Sequence, residues 1–279
     1  MHREIAVSTW SLCRHLGPIR STRLDERGEH EFRVEHCYPE DVPLLEFGRF
    51  VRERYGLSHV ELCQMHFPSS AKEYLDELRG KLAEAGCEVL NVPIDVGNIS
   101  DEDEASRRHD LENVKRWMEV AAYVGSRYAR VNSGRQAEGR ENLSITIASY
   151  RELAAKAAEL GITVLLENHG GVSAKPNNML RLLEGVGSER FRLCPDTGNF
   201  PEEVRYQALE QLLPHAALVH VKSFEFDERG EEVRYDFPRA VRLIREFSAG
   251  APVSVEFEGP GDQMQGVAQT VALLRRYLD

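Results

Sequence analysis

The chain is short of the features that mark several large functional classes. Its 279 residues include only five cysteines (Cys13, Cys37, Cys63, Cys87 and Cys194), odd in number, scattered and nowhere spaced C-x-x-C. That pattern suggests neither a disulfide framework nor a zinc knuckle, and it suits a reducing cytoplasm. No apolar run approaches the roughly 18 residues a membrane span needs, and none follows Met1-His2-Arg3-Glu4 as an export signal would. The expectation is a cytoplasmic protein with no membrane partner. Positive charge is also scarce: 35 Lys and Arg against 46 Asp and Glu leave a net charge of −11. Affinity for phosphate backbones comes mainly from cations that displace counterions, so no nucleic-acid partner is expected. There is no G-x-G-x-x-G or Walker sequence, which argues against an open nucleotide-binding sheet. No G-x-S-x-G accompanies His169-Gly170-Gly171, which argues against a serine esterase.

What is present is a regular alternation. Short apolar runs at Glu4–Thr9, Leu57–Cys63, Glu88–Ile94, Arg127–Asn132, Ile162–Glu167, Phe191–Cys194, Ala217–Lys222 and Pro252–Phe257 read as strands. Between them lie segments whose apolar residues recur every three or four positions, as at Leu111, Val114, Met118 and Ala121. Gly56, Gly86, Gly125 and Gly161 each separate a helical segment from the next strand, where a helix C-cap favours glycine. Eight β-then-α units in one chain of this length predict an α/β fold, a single-domain (β/α)₈ TIM barrel spanning residues 1–279. One connection is too long for the scheme. After the first strand, about 11–41 reads as a long loop insertion on the face where barrel active sites form.

The stretch "GITVLLENHGG" runs from five apolar or β-branched residues straight into Glu167, Asn168 and His169. Glu167 therefore stands at the carboxyl end of the fifth barrel strand, where the packed interior gives way to the open top. The next three strands repeat the pattern. "RLCPDTGNF" carries Asp196 at its strand end, "ALVHVKS" carries His220 and "VSVEFEG" carries Glu256. Neighbouring strands lie about 4.8 Å apart, so side chains from four successive strand ends converge on one point. Three carboxylates there cannot all stay ionised without a compensating cation, and three oxygens with one nitrogen suit one divalent ion. Mn²⁺ or Mg²⁺ fits that donor set better than Zn²⁺, Co²⁺ or Fe²⁺, which stay open. Taken singly, each acid could equally cap a helix or pair with an arginine, and His220 could be a satisfied core histidine.

Residues two positions beyond a ligand point the same way, which adds His169, Lys222 and Glu258 one layer above. His169 is a candidate proton donor and Lys222 a candidate for stabilising enolate charge. From the first half, Trp10, Glu61, His66, Asn91, Arg130 and Asn132 lie near strand ends and are candidates for the pocket wall.

The four segments "VLLENHGG", "CPDTGNF", "LVHVKS" and "VSVEFEG", in that order, resemble the xylose-isomerase-like TIM-barrel superfamily of sugar-phosphate isomerases and epimerases. The resemblance implies that Glu167, Asp196, His220 and Glu256 are metal ligands and that Glu167 and Glu256 also form an acid/base pair. Relatives often carry a histidine where this chain has Asn199, and ketose epimerases commonly an arginine where it has Phe226. Asn199 removes one histidine that a three-zinc endonuclease cluster needs. The expectation is a metal-dependent isomerase or epimerase that handles a sugar or sugar-like polyol through an enediolate, with Trp10, His66, Asn132, Asn199 and Glu258 binding substrate. A related dehydratase, a metal-dependent hydrolase and a non-catalytic metal- or sugar-binding barrel are the alternatives. A homo-oligomer is compatible with the sequence.

Overall fold

The structure is a computed structural model and describes residues 3–278. Eight parallel strands form one sheet: β1 (Ile5–Ser8), β4 (His59–Glu61), β5 (Glu88–Ile94), β6 (Tyr128–Val131), β7 (Thr163–Glu167), β8 (Phe191–Cys194), β9 (Val219–Ser223) and β10 (Val253–Phe257). Each pairs with its neighbour in the chain, and β1 pairs with β10, so the sheet curls on itself. The last seam, between β8 and β9, is held by the isolated parallel bridges Leu193–Ala216 and Asp196–His220. The eight helices α1 (Phe47–Tyr55), α2 (Lys72–Ala85), α3 (Glu104–Tyr123), α4 (Leu143–Leu160), α5 (Pro176–Val186), α6 (Glu202–Leu212), α7 (Phe237–Phe247) and α8 (Gln263–Leu278) follow the strands. The fold is the expected TIM barrel. None of these helices is long and apolar enough to cross a membrane.

The period of two along each strand sorts residues between two apolar cores. Val164, Leu166, Val219, Val221, Val253 and Val255 belong to the large core under the helices. Ala6, Leu90, Leu165, Cys194 and Leu218 form a separate small plug inside the barrel. Glu167, Asp196 and His220 each come two residues after a plug member. The same alternation that buries Leu165, Cys194 and Leu218 therefore lifts an ionisable side chain one pleat toward the open end.

Helix ends are set by local chemistry. Asp103 and Asp236 cap α3 and α7 by accepting from the backbone N–H three residues on, at 2.8 and 2.9 Å. Gly161 closes α4 with φ 74°, a left-handed conformation that a side chain would strain, and Gly56 and Gly86 do the same for α1 and α2.

The segment expected as a long loop is mostly regular structure. A 3-10 turn at Thr9–His15 leads into an antiparallel hairpin of β2 (Leu16–Leu24) and β3 (His30–Glu40). Its strands escape sequence reading because β3 is largely exposed along its length, and the short alternation of Phe32 and Val34 with Glu31, Arg33 and Glu35 is all that marks it. The hairpin lies against α3, where His30 stacks on the buried Trp117 at 4.5 Å and the Trp117 indole N–H donates to Thr22 Oγ1 at 2.8 Å.

Candidate metal centre and cavity

Glu167, Asp196, His220 and Glu256 are all buried, and each offers one ligand atom within 4.8 Å of the others. His220 Nδ1 lies 3.1 Å from Glu167 Oε1 and 3.4 Å from Glu256 Oε1. Its other nitrogen faces Glu61, with Nε2 at 3.2 Å from Oε2. Glu61 Oε2 also accepts from Asn91 Nδ2 at 3.0 Å, and Asn91 is oriented because its Oδ1 accepts from the Arg130 backbone N–H. Glu61 thus accepts a hydrogen bond from His220 Nε2–H and leaves Nδ1 facing the acids, the relation a carboxylate bears to a metal-ligating histidine.

Charge dominates this end of the barrel. Asp95, Glu167, Asp196, Glu256 and Glu258 gather around two permanent cations, Arg130 and Lys222, while Glu61 faces His220. Arg130 is 3% exposed, forks onto both oxygens of Asp95 and places Nε 3.0 Å from Glu167 Oε2. Lys222 Nζ lies 3.3 Å from both Asp196 Oδ2 and Glu256 Oε2 and 2.9 Å from Glu258 Oε1.

Burial works against the Glu167 carboxylate, but His220 and Arg130 outweigh it and hold its carboxyl well below the usual range. Asp196 goes the other way. Burial pushes it up to about 7 despite Lys222, with Glu167 and Glu256 adding repulsion. Glu256 is raised too, by burial first, with His220 and Lys222 opposing. Burial also resists charging of His220, yet the surrounding acids raise its basicity well above ordinary histidine. Asp196 Oδ2 is buried and makes no well-aligned hydrogen bond, Lys222 Nζ standing 3.3 Å away. Raised acids, an unsatisfied carboxylate oxygen and an imidazole Nδ1 turned toward them, able to exchange its proton for a metal bond, are what a divalent cation would relieve, so the donor set fits one such ion.

Beside the cluster is a cavity of about 270 Å³ whose wall includes Trp10, Asp95, Arg130, Asn132, Arg135, His169, Glu256 and Glu258. Of the residues expected to bind substrate or do chemistry, Trp10, Asn132, His169, Glu256 and Glu258 reach this wall. Trp10 donates its indole N–H to Glu258 Oε1 at 2.7 Å, which fixes the ring. Glu167 lies behind it, and Asn199 bridges Glu167 Oε1 and Lys222 Nζ at 3.2 and 2.9 Å. Lys222 sits behind Glu256 and Glu258 and serves them rather than the cavity. His66 is elsewhere: it is 1% exposed and bound through Nδ1 to Thr9 Oγ1 at 2.9 Å, with burial lowering it to about 3. Asp95 and Arg135 are wall residues that sequence reading passed over. Asp95 follows the apolar run "NVPI" at a strand end, the same signal that singled out Glu167.

A larger cleft of about 600 Å³ lies between the hairpin and α2 and α3. Its cations are already engaged, Lys72 with Asp76 at 2.6 Å and Arg116 with Glu119 at 3.0 Å.

The fold and the acid–histidine cluster define an eight-stranded barrel with a candidate metal centre at the carboxyl ends of its strands. The chain belongs to the xylose isomerase-like TIM barrel family, whose model matches residues 51–277. No curated protein matches it by sequence. Among solved structures it is similar to an L-ribulose 3-epimerase, with TM-score 0.74 and 16% identity over 100% of this chain and 95% of that one. It is also similar to a xylose isomerase-like barrel from Mycobacterium smegmatis in complex with magnesium (0.70, 18%, 99% and 98%). A 3-keto-D-glucoside 4-epimerase from E. coli gives 0.68 and 18%, covering 99% and 100%.

Proposed function

We propose that the protein is a divalent-metal-dependent isomerase or epimerase of a sugar or sugar-like polyol, acting through an enediolate with Glu167 and Glu256 as the acid/base pair. The observation that carries this reading is the convergence of four donors within 4.8 Å beside a polar cavity. The names of the epimerases among its structural neighbours support it. Glu167, Asp196, His220 and Glu256 would hold the ion. When bound, it would supply Lewis acidity, making a C–H beside a carbonyl easier to ionise.

The remaining work belongs to side chains. Glu256 lines the cavity and has a raised carboxyl, which supports its carboxylate as the group that takes the proton from carbon and holds it. The C–H electron pair then forms the C=C bond of the enediolate, and the carbonyl oxygen gains the negative charge. Glu167 is held ionised by His220 and Arg130, so to return a proton to carbon it would first have to gain one from solvent against that restraint. Trp10, fixed by Glu258, offers an apolar face for a sugar ring, while Asn132 and His169 offer polar contacts on the wall.

The test combines metal analysis with deuterium incorporation from D₂O into a panel of ketoses including D-fructose and D-tagatose. One bound divalent ion per chain and exchange at the carbon beside the carbonyl are expected. Glu256→Gln, fully loaded with Mn²⁺, should lose exchange by about 10²- to 10⁴-fold. No ion bound at millimolar Mn²⁺, or undiminished exchange in that variant, overturns the reading.

A further inference from the structure

The cavity wall carries a chain of hydrogen bonds that decides which nitrogen of His169 holds the proton. Asn132 lies in the middle of it. Its Oδ1 accepts from the Gly134 backbone N–H at 3.1 Å, and its Nδ2 lies 3.2 Å from Asp95 Oδ1 and 3.0 Å from His169 Nδ1. The amide cannot be reversed. Flipped, its NH₂ would meet the Gly134 N–H and its oxygen would meet a carboxylate, two repulsive contacts in place of two bonds. Asp95 is itself pinned as an acceptor. Burial resists its charge, but the fork from Arg130 overcomes this and keeps the carboxyl below its usual range.

With Asn132 oriented, its NH₂ points at His169 Nδ1 at hydrogen-bonding distance, so Nδ1 must accept. Asp95 Oδ1 is 3.9 Å from the same nitrogen, too far to claim an Nδ1 proton for itself. The backbone N–H of His169 donates to Ser173 Oγ at 3.2 Å, which steadies the loop carrying the ring.

We infer that Asn132 is a positioning residue that holds His169 as the Nε2–H tautomer, so that His169 meets the ligand as a hydrogen-bond donor. In this form Nε2 has no lone pair with which to accept a proton from carbon. The inference rests on the proposed sugar chemistry only for its consequence, which is that His169 donates to a substrate oxygen and proton abstraction falls to the carboxylates. Asn132, expected from sequence to bind substrate, acts also through its neighbour.

The experiment needs neither substrate nor metal. Protein labelled with ¹⁵N-histidine is treated with EDTA at pH 8, and long-range ¹H–¹⁵N correlations report the tautomer of His169, assigned with His169→Gln. The wild type should show a protonated Nε2 and a bare Nδ1, with the other tautomer at about a tenth or less, because a donor facing a donor costs roughly tenfold or more in population. Asn132→Asp is the discriminating variant. Its carboxylate accepts at Nδ1, so the proton should move to Nδ1. Asn132→Ala should leave a mixture of both tautomers and serves if the aspartate variant does not fold. An Nδ1 proton in the wild type overturns the inference, and so does an unchanged tautomer in both folded variants. Neither result alters the metal count or the exchange behaviour of Glu256→Gln, so the two readings fail separately.

Discussion

Replacing Asp196 by asparagine should stabilise the ion-free protein and sharply reduce its response to metal. In the unfolded chain this carboxyl titrates near 3.8, while in the fold burial and neighbouring acids put it at about 7. The folded protein therefore keeps a proton that the unfolded chain has released. The penalty is absent below pH 3.8, grows as pH rises to about 7 and stays constant above, opposite to a salt-bridged aspartate. A difference of about 3 units corresponds to roughly 4 kcal/mol at pH 8. Asparagine can still accept at Oδ1 from the N–H groups of Gly198 and Asn199, but the contact with Lys222 at 3.3 Å is lost, an offset of about 1–3 kcal/mol. A net gain of about 1–3 kcal/mol remains. At roughly 0.6 kcal/mol/K for a chain of this size, the melting temperature in EDTA should rise by about 2–5 °C. Mn²⁺ at a hundred times Kd should raise the wild type by about 2.7 kcal/mol, close to 5 °C. A hundredfold loss of affinity in Asp196→Asn would shrink that to about 0.4 kcal/mol, below 1 °C. Scanning calorimetry at pH 8 with EDTA or Mn²⁺ measures both effects. An asparagine variant that melts below the wild type in EDTA, or equal metal shifts in the two proteins, would refute the charge argument.

Two further outcomes test parts of the fold that the site depends on. His66 is about 6.5 when unfolded and about 3 when folded, so its neutral form supports the fold fully above pH 6.5 and that support drains away as pH falls toward 3. Urea titrations of His66→Asn between pH 6 and 4 should show stability falling less steeply, by up to about 1.4 kcal/mol per pH unit; matching slopes would count against a buried neutral imidazole. Trp117→Ala should cost about 3–5 kcal/mol by leaving a cavity, and it should also expose the hairpin between β2 and β3 to proteases well before the barrel. Cleavage spread evenly over the chain would mean that Trp117 does not anchor the hairpin.

The barrel and the four residues of its acid–histidine cluster were legible in the amino-acid sequence because both depend on local periodicity. A run such as Ile162–Glu167 states its own conformation. Its parity then places Glu167 on the same side as Leu165, and eight repeats of the unit leave little choice of topology. The hairpin was not legible, since β3 is solvated along most of its length and its alternation is confined to Phe32 and Val34 among charged residues. Nor were the separate fates of residues that look alike in sequence. His66 and His169 both follow strands, yet one is sealed against Thr9 and the other stands on the cavity wall. Lys222 has the right parity to face a ligand but is drawn onto three carboxylates from other strands. Strand-level placement is a one-dimensional property, set by neighbours two and four residues away. Partners, protonation and access are set by groups brought together from distant units, as His220 is with Glu61 across 159 positions and Asn132 with His169 across 37, and only barrel closure determines them.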